Sequence, residues 1–170
     1  MPEGITTIGI YAFKGCTNMF LKDNTIPNNI LTIQNEAFEN CKNIVITSIS
    51  NNLTTIGKNS FKECIKLNIS NLPDSLNSIG ESAFEGCINY KGSYLLKETI
   101  IPNNVTTIGK NCFKNTGIEK LIIPENNNLL TNIPNDWRTK VLSIAYTLIF
   151  LLFLTSIFLV SLYFFNNDWY

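Results

Sequence analysis

The stretch Pro2-Glu3-Gly4-Ile5-Thr6-Thr7-Ile8-Gly9-Ile10-Tyr11-Ala12-Phe13-Lys14-Gly15-Cys16 decides the fold, because the chain repeats its pattern four more times with the internal spacing unchanged. Ile8, Ile33, Ile56, Ile79 and Ile108 are equivalent, and five residues after each comes Phe13, Phe38, Phe61, Phe84 or Phe113. Cys16, Cys41, Cys64 and Cys87 follow three residues later. Successive copies start 25, 23, 23 and 29 residues apart, so all the length variation falls after the cysteine, chiefly in the insert Asn89-Tyr90-Lys91-Gly92-Ser93-Tyr94. Self-similarity at such a period is the mark of a stack of small units, each burying its apolar face against its neighbours.

Each repeated position has a physical reason. Pro2, Pro27, Pro73 and Pro102 remove a backbone donor at a corner, and Asn28-Asn29, Asp74-Ser75 and Asn103-Asn104 supply turn chemistry after it. The segments Ile30 to Ile33 and Val105 to Ile108 are short and β-branched, and read as brief strands with apolar ends facing inward. Gly9, Gly57, Gly80 and Gly109 follow the isoleucine, as a corner with positive φ or a close backbone approach requires, while Gln34 departs from that rule. Pairs such as Ala37-Phe38 and Ala83-Phe84 set a small residue before a large one, which predicts a short helical turn dropping its ring into the stack. The residues after the cysteine, 43–49 and 118–124, predict a second strand that ends at the next proline, and such strands side by side would form a parallel sheet.

Proline, Val-Thr-x-Ile-Gly and Ala-Phe-x-x-Cys at about 23 residues resemble the BspA-like class of leucine-rich repeats. The resemblance covers residues 1–124. It implies a β-rich α/β right-handed leucine-rich repeat solenoid, with two short strands and a helical turn per repeat, and for many members adhesion or antigenicity at the cell surface. Ser50 replaces the corner proline in the third copy and Thr116 the cysteine in the fifth. Residues 125–140 read as a degenerate cap and juxtamembrane linker, since Leu130-Thr131-Asn132-Ile133 is stretched and lacks the phenylalanine and cysteine.

Residues 141–165 carry no charge, proline or glycine. As a helix they would extend about 37 Å at 1.5 Å per residue, enough to cross a hydrocarbon core of about 30 Å with some tilt. A thin repeat stack offers no second layer to wrap a helix apolar on every face, so the run reads as a single transmembrane span contacting the lipid bilayer. Trp137, Tyr163, Trp169 and Tyr170 lie near its ends, and residues 166–170 form a short tail. Arg138 and Lys140 flank the run on the repeat side and Asp168 is the sole charge beyond it, which by the positive-inside rule puts the repeats in the cytosol. Family resemblance puts them outside. The residues at the beginning show no apolar leader pattern, so a tail-anchored chain, the C-terminal part of a longer surface protein and export using the span as signal all stay open.

Composition narrows the functional classes. The 13 basic and 13 acidic residues balance, which argues against a nucleic-acid partner held by charge. The absence of histidine removes the commonest general base and metal ligand. No catalytic residue, cofactor or metal is therefore expected. The cysteines read as small buried fillers, with Cys112 at the small position before Phe113, and no C-x-x-C pair suggests zinc. Asn52, Asn68 and Asn104 stand in N-glycosylation sequons, conditional on lumenal exposure, in a chain rich in asparagine.

A binding surface, if present, falls on the face of the post-cysteine segments, whose outward residues vary: Thr47, Asn68, Ser70 and Glu119. The insert with Tyr90 and Tyr94 is the other candidate. The sequence as a whole is read as a membrane-anchored leucine-rich repeat protein in protein–protein recognition, a surface adhesin or antigen binding a host-cell, matrix or neighbouring-cell protein at the plasma membrane. A tail-anchored cytosolic scaffold is the alternative.

Overall fold

The computed structural model describes residues 4–69, 71–88, 98–116, 118, 120–124 and 141–143. Its first sheet is made of the short strands before the glycine positions: β1 (Thr7–Ile8), β2 (Thr32–Ile33), β3 (Thr55–Ile56), β4 (Ser78–Ile79) and, after β5 (Glu98–Ile100), β6 (Thr107–Ile108). They pair in parallel in the order β1-β2-β3-β4-β6 with isoleucine opposite isoleucine: Ile8↔Ile33, Ile33↔Ile56, Ile56↔Ile79 and Ile79↔Ile108. The 29-residue step of the last copy thus leaves the register untouched, its surplus absorbed between Cys87 and Pro102.

A second parallel sheet joins β5, β7 (Lys120–Ile123) and β8 (Val141–Ser143) in that order. The post-cysteine strand therefore exists in the last two copies. Among the described residues of the first copies it is reduced to one bridge, Thr25↔Ser48, with extended chain held by Thr47 N–H to Asn24 O (2.9 Å) and Asn68 N–H to Ile46 O (2.9 Å). β8 occupies the first three residues of the apolar run, so the expected helix does not begin at Val141. Residues 144–165, and with them the rest of the expected span, lie outside the described residues, as does nearly all of the expected cap at 125–140. Among the described residues no helix is long and apolar enough to cross a membrane.

The expected helical turn around each phenylalanine is instead a pair of tight turns. Two residues per copy are left-handed: Tyr11, Glu36, Asn59, Ser82 and Asn111 at the first turn, and Gly15, Asn40, Glu63, Gly86 and Asn115 at the second, all with φ between 52 and 74°. The reason is hydrogen-bond economy. Left-handed backbone points these N–H groups along the stack, so that Glu36, Asn59 and Ser82 donate to the carbonyls of Lys58, Glu81 and Lys110, at 2.8 to 2.9 Å. The residues around them alternate: Ala12, Lys14 and Cys16 donate within their own coil, to Gly9, Tyr11 and Phe13, while the phenylalanine between the two turns also donates to the next coil, Phe13 to Ala37 O at 2.8 Å. A continuous helix would keep every N–H inside one coil and leave the coils unjoined. A left-handed side chain costs about 1–2 kcal/mol, which glycine and asparagine largely avoid.

The glycine column serves a different purpose from positive φ. A Cβ on Gly80 would lie 2.4 Å from Lys58 N, and one on Gly109 2.2 Å from Glu81 N, so these glycines let one coil's backbone rest on the next. At the first junction the approach is looser, and Gln34 uses the room: its Oε1 accepts from Ile10 N–H at 3.1 Å, as Asn35 Oδ1 accepts from Lys58 N–H at 2.9 Å one coil on.

The core is a set of columns running through the coils. Phe13, Phe38, Phe61, Phe84 and Phe113 stack with centroids 5.2 to 5.5 Å apart and, beyond the first pair, planes within 7° of parallel. Beside them Ile30, Leu53, Leu76 and Val105 form one column and Ile33, Ile56 and Ile79 another, all buried.

A fourth column is of cysteines. The thiols of Cys41, Cys64 and Cys87 donate to the carbonyls of Phe13, Phe38 and Phe61 one coil back, at 2.8 to 3.0 Å, and all five cysteines are free. Sulfur here is a filler whose thiol adds a second hydrogen bond to a carbonyl that already accepts from the cysteine N–H of its own coil, as Phe38 O does from Cys41 N–H at 3.0 Å. Thr116, in the same position of the fifth copy, turns its hydroxyl to Phe113 O in its own coil, at 2.6 Å. Burial pushes the thiols of Cys41, Cys64, Cys87 and Cys112 above the usual range. A thiol reagent at neutral pH is expected to titrate one cysteine, Cys16, in the native protein and the other four only after unfolding; rapid reaction of a second thiol would remove the buried column.

The first coil breaks the pattern of burial. Cys16 and Ala12 are exposed and Phe13 half-buried, although their repeat positions put them in the core. Ile5 is 41 % exposed where its equivalent Ile30 is fully buried.

Candidate recognition surface

Two faces of the stack carry polar side chains, and they differ in how far those side chains satisfy one another. On the turn face one row reads Lys14, Glu39, Lys62, Glu85, Lys114, a strict alternation of charge from coil to coil. Lys14 meets Glu39 at 2.8 Å and also binds Glu36, Lys62 meets Glu85 at 3.2 Å, and Lys114 meets Glu85 at 3.5 Å. Lys58 and Glu81 pair at 3.0 Å in the neighbouring row. Exposed pairs of this kind contribute about 0–1 kcal/mol each, so the row matters more for alignment than for strength.

These pairs set the acid sensitivity. The Lys14 ammonium holds the Glu36 carboxyl below the usual carboxylate range. Burial works to raise Glu85, but the Ser82 hydroxyl, Lys62 and Lys114 together outweigh it and hold it low. A carboxyl depressed in the folded state binds its proton more weakly there than in the unfolded chain, so its contribution is present above the unfolded value, about 4.3, and disappears as pH falls below it. The urea midpoint is expected to be flat from pH 7 to 5 and to drop below about pH 4, with salt near 1 M reducing the difference by screening. A midpoint independent of pH down to 3 would show that the row contributes nothing.

The opposite corner is open. Around the proline column, a depression of about 380 Å³ is lined by Asn51, Asn71, Leu72, Pro73, Asp74 and Ile100, with Pro102 at its end. A second, of about 160 Å³, shares Asn51, Asn71, Leu72 and Pro73 and extends past Thr47 and Ser48. Together they make one groove across the second, third and fourth coils. Its floor is set by the buried residues at and before the corner, Ile49, Leu72 and Pro73. Its walls come from the position two before the proline (Ser48, Asn71, Ile100) and the one after it (Asn51, Asp74). Asn71 makes no hydrogen bond among the described residues, and Ile100 is 62 % exposed.

The groove is held by corner ladders. Asn52 Nδ2 donates to Asn28 O (2.9 Å), Ser75 Oγ to Leu53 O (2.7 Å) and Asn104 Nδ2 to Asp74 O (2.8 Å), each one coil back. Asn28 Oδ1 accepts from Asn51 N–H at 2.9 Å. Such side chains replace the ladder that prolines interrupt.

Of the candidate residues, Thr47 lies at the groove, exposed, its hydroxyl 3.3 Å from Asn24 O. Tyr90, Tyr94, Ser70 and Glu119 lie outside the described residues. Asn52, Asn68 and Asn104 are exposed, and the amide nitrogens of Asn52 and Asn104, the atoms a glycan would occupy, serve the corner ladder. Asn51, Asn71, Asp74 and Ile100 were not singled out from sequence. Their signal is positional: they flank the proline column, where residue type changes from coil to coil while the corner itself stays fixed. Among the described residues no group of histidine, cysteine, aspartate or glutamate could hold a metal ion.

Parallel in-register strands, aligned apolar columns and a groove across several coils define a leucine-rich repeat solenoid. The family model for the BspA type leucine rich repeat region (6 copies) matches residues 1–92, and the chain belongs to that family. No curated protein matches the chain. Among solved structures, a leucine-rich repeat protein from Bacteroides ovatus is similar to it at 24 % identity with a TM-score of 0.49, over 72 % of this chain and 38 % of that one. The chain thus spans well under half of that protein's length.

Proposed function

We propose that this chain is a membrane-anchored recognition protein that displays its repeats at the cell surface and binds a protein partner through the corner groove. The observation that carries the reading is the contrast between the two faces. The turn face neutralises its own charges, whereas the groove holds out Asn71, Asp74 and the exposed Ile100 over an apolar floor. Amide and carboxylate groups beside an apolar patch fit a polypeptide surface, which supplies both backbone hydrogen bonds and side-chain contacts. The apolar run 141–165 is the anchor in this reading.

The test is made in cells. With a tag at the N-terminus, antibody is expected to stain intact cells, and Asn71→Arg is expected to reduce attachment to neighbouring or host cells at least tenfold without moving the urea midpoint. Staining only after permeabilisation would overturn surface display. It would favour the tail-anchored scaffold, for which Arg138 and Lys140 on the repeat side of the run are the specific observation.

A further inference from the structure

We propose that the outer face of the second sheet, along the row Ile100, Ile122 and Leu142, rests on the surface of the membrane that holds the apolar run, with the first three coils standing clear of the lipid. The proposal rests on the reading of 141–165 as the anchor. Its starting point is one repeat position, two residues before the corner, followed from coil to coil: Thr25, Ser48 and Asn71, then Ile100 and Ile122. In the second sheet this position is on the outer face. Thr99 and Ile101 are buried on either side of Ile100, which is 62 % exposed, and Leu121 and Ile123 are buried on either side of the half-buried Ile122. Polar in three coils, the row turns apolar in the next two, and the pairing register continues it to Leu142: Ile100↔Ile122, then Ile122↔Leu142.

A single exposed isoleucine is ordinary, but apolar residues side by side on the outer face of parallel strands are not, because parallel sheets are as a rule covered on both faces. A contiguous apolar patch of this kind marks a site of contact with protein or membrane. The chain itself argues for the membrane. β8 is the opening of the apolar run, and Ser143 alone separates Leu142 from residues 144–165, 22 residues that as a helix would still extend about 33 Å and cross the hydrocarbon core. Neighbouring strands lie about 4.8 Å apart, so Ile100, two strands from β8, is only about 10 Å from the strand that leads into the bilayer. An apolar face at the headgroup boundary sinks about 5–10 Å into it, which brings the whole row within reach. Charge does not oppose the contact: Glu98 and Lys120, register partners two residues before the row, are of opposite sign. Ile100 also ends the corner groove, and so marks the border between the partner-facing and the lipid-facing surface.

The test uses the full chain in phosphatidylcholine nanodiscs, with Cys16→Ser to remove the one exposed thiol and a fluorescent label on Ile100→Cys, Ile122→Cys or, as the control in the polar part of the row, Ser48→Cys. Lipid carrying a doxyl group near its headgroup is expected to quench the labels at 100 and 122 at least threefold more strongly than the label at 48, with urea midpoints unchanged for Ile100→Cys and Ser48→Cys. Labels at 100 and 122 left unquenched and open to aqueous iodide overturn the proposal, because the stack then stands off the bilayer. A label at 100 shielded from iodide but untouched by the doxyl lipid overturns it too, since protein then covers the row. Equal quenching at 48 and 100 does the same by laying the whole stack on the surface. Alkaline carbonate separates the two readings: a chain that it strips from cell membranes has no anchor, and both fall, whereas a retained chain with unquenched labels overturns the contact alone.

Discussion

Replacing Phe61 by alanine is expected to lower the unfolding free energy by about 3–5 kcal/mol, the cost of a large cavity in a closed core. Phe61 is fully buried and touches a ring on each side, with centroids 5.3 Å from Phe38 and 5.5 Å from Phe84. Its removal therefore loses more than transferred area, because stacked pairs contribute about 0.5–1.5 kcal/mol each beyond burial. The gap cannot close by sliding: Phe61 N–H is fixed to Ala83 O at 2.9 Å, and the Cys87 thiol is fixed to Phe61 O. Stability in a repeat stack is mostly nearest-neighbour, so hydrogen exchange should quicken in the second and fourth coils as well as the third. The same change at Phe13, half-buried in the first described coil, should cost less than half as much. Urea unfolding decides the matter; a loss below about 1 kcal/mol at Phe61 would mean that the ring column is not what holds the coils.

Gly80→Ala is expected to be the second large effect, about 3 kcal/mol, at the upper end of overpacking penalties. The added methyl would sit 2.4 Å from Lys58 N and 2.5 Å from Gly57 C, both backbone atoms that no rotamer change can move. The coils would have to part, stretching the bond from Gly80 N–H to Ile56 O, now 2.8 Å. Gly9→Ala is the control within the same column. There the nearest atom is Gln34 Oε1 at 3.9 Å and φ lies outside the left-handed region, so alanine should cost nothing and can add up to about 1 kcal/mol by restricting the unfolded chain. Equal losses at the two positions would show that glycine is needed for conformation and not for contact.

That contrast also marks where sequence was legible. Spacing alone carries the repeat, its register and the identity of the columns, because Ile8, Phe13 and their equivalents must recur for the stack to close. The role of the glycine was readable only as one of two possibilities, since a bare glycine does not say whether φ or proximity demands it. The helical turn was misread for a related reason. Ala37-Phe38 is compatible with a helix, and what excludes one is the need of Glu36, Phe38 and Asn40 to donate to the next coil. That requirement belongs to the stack and to no single copy. The opened first coil was illegible for the opposite reason: Cys16 looks like Cys41 in every local respect and differs only in having no described coil before it. The groove was not legible: Thr47, singled out for the variability of its position, lies beside it, while Asp74 was read as turn chemistry and Asn71 carried no reading at all.

The alternation of Lys14, Glu39, Lys62, Glu85 and Lys114 bears on how such a chain can change its length over generations. Arrays of this kind grow and shrink by unequal exchange between copies. Losing one interior copy here would bring lysine beside lysine or glutamate beside glutamate, while losing two neighbours would keep the alternation of charge. A pair of coils, about 46 residues, is thus the unit whose loss leaves the charge row undisturbed, although the repeat itself is a single coil.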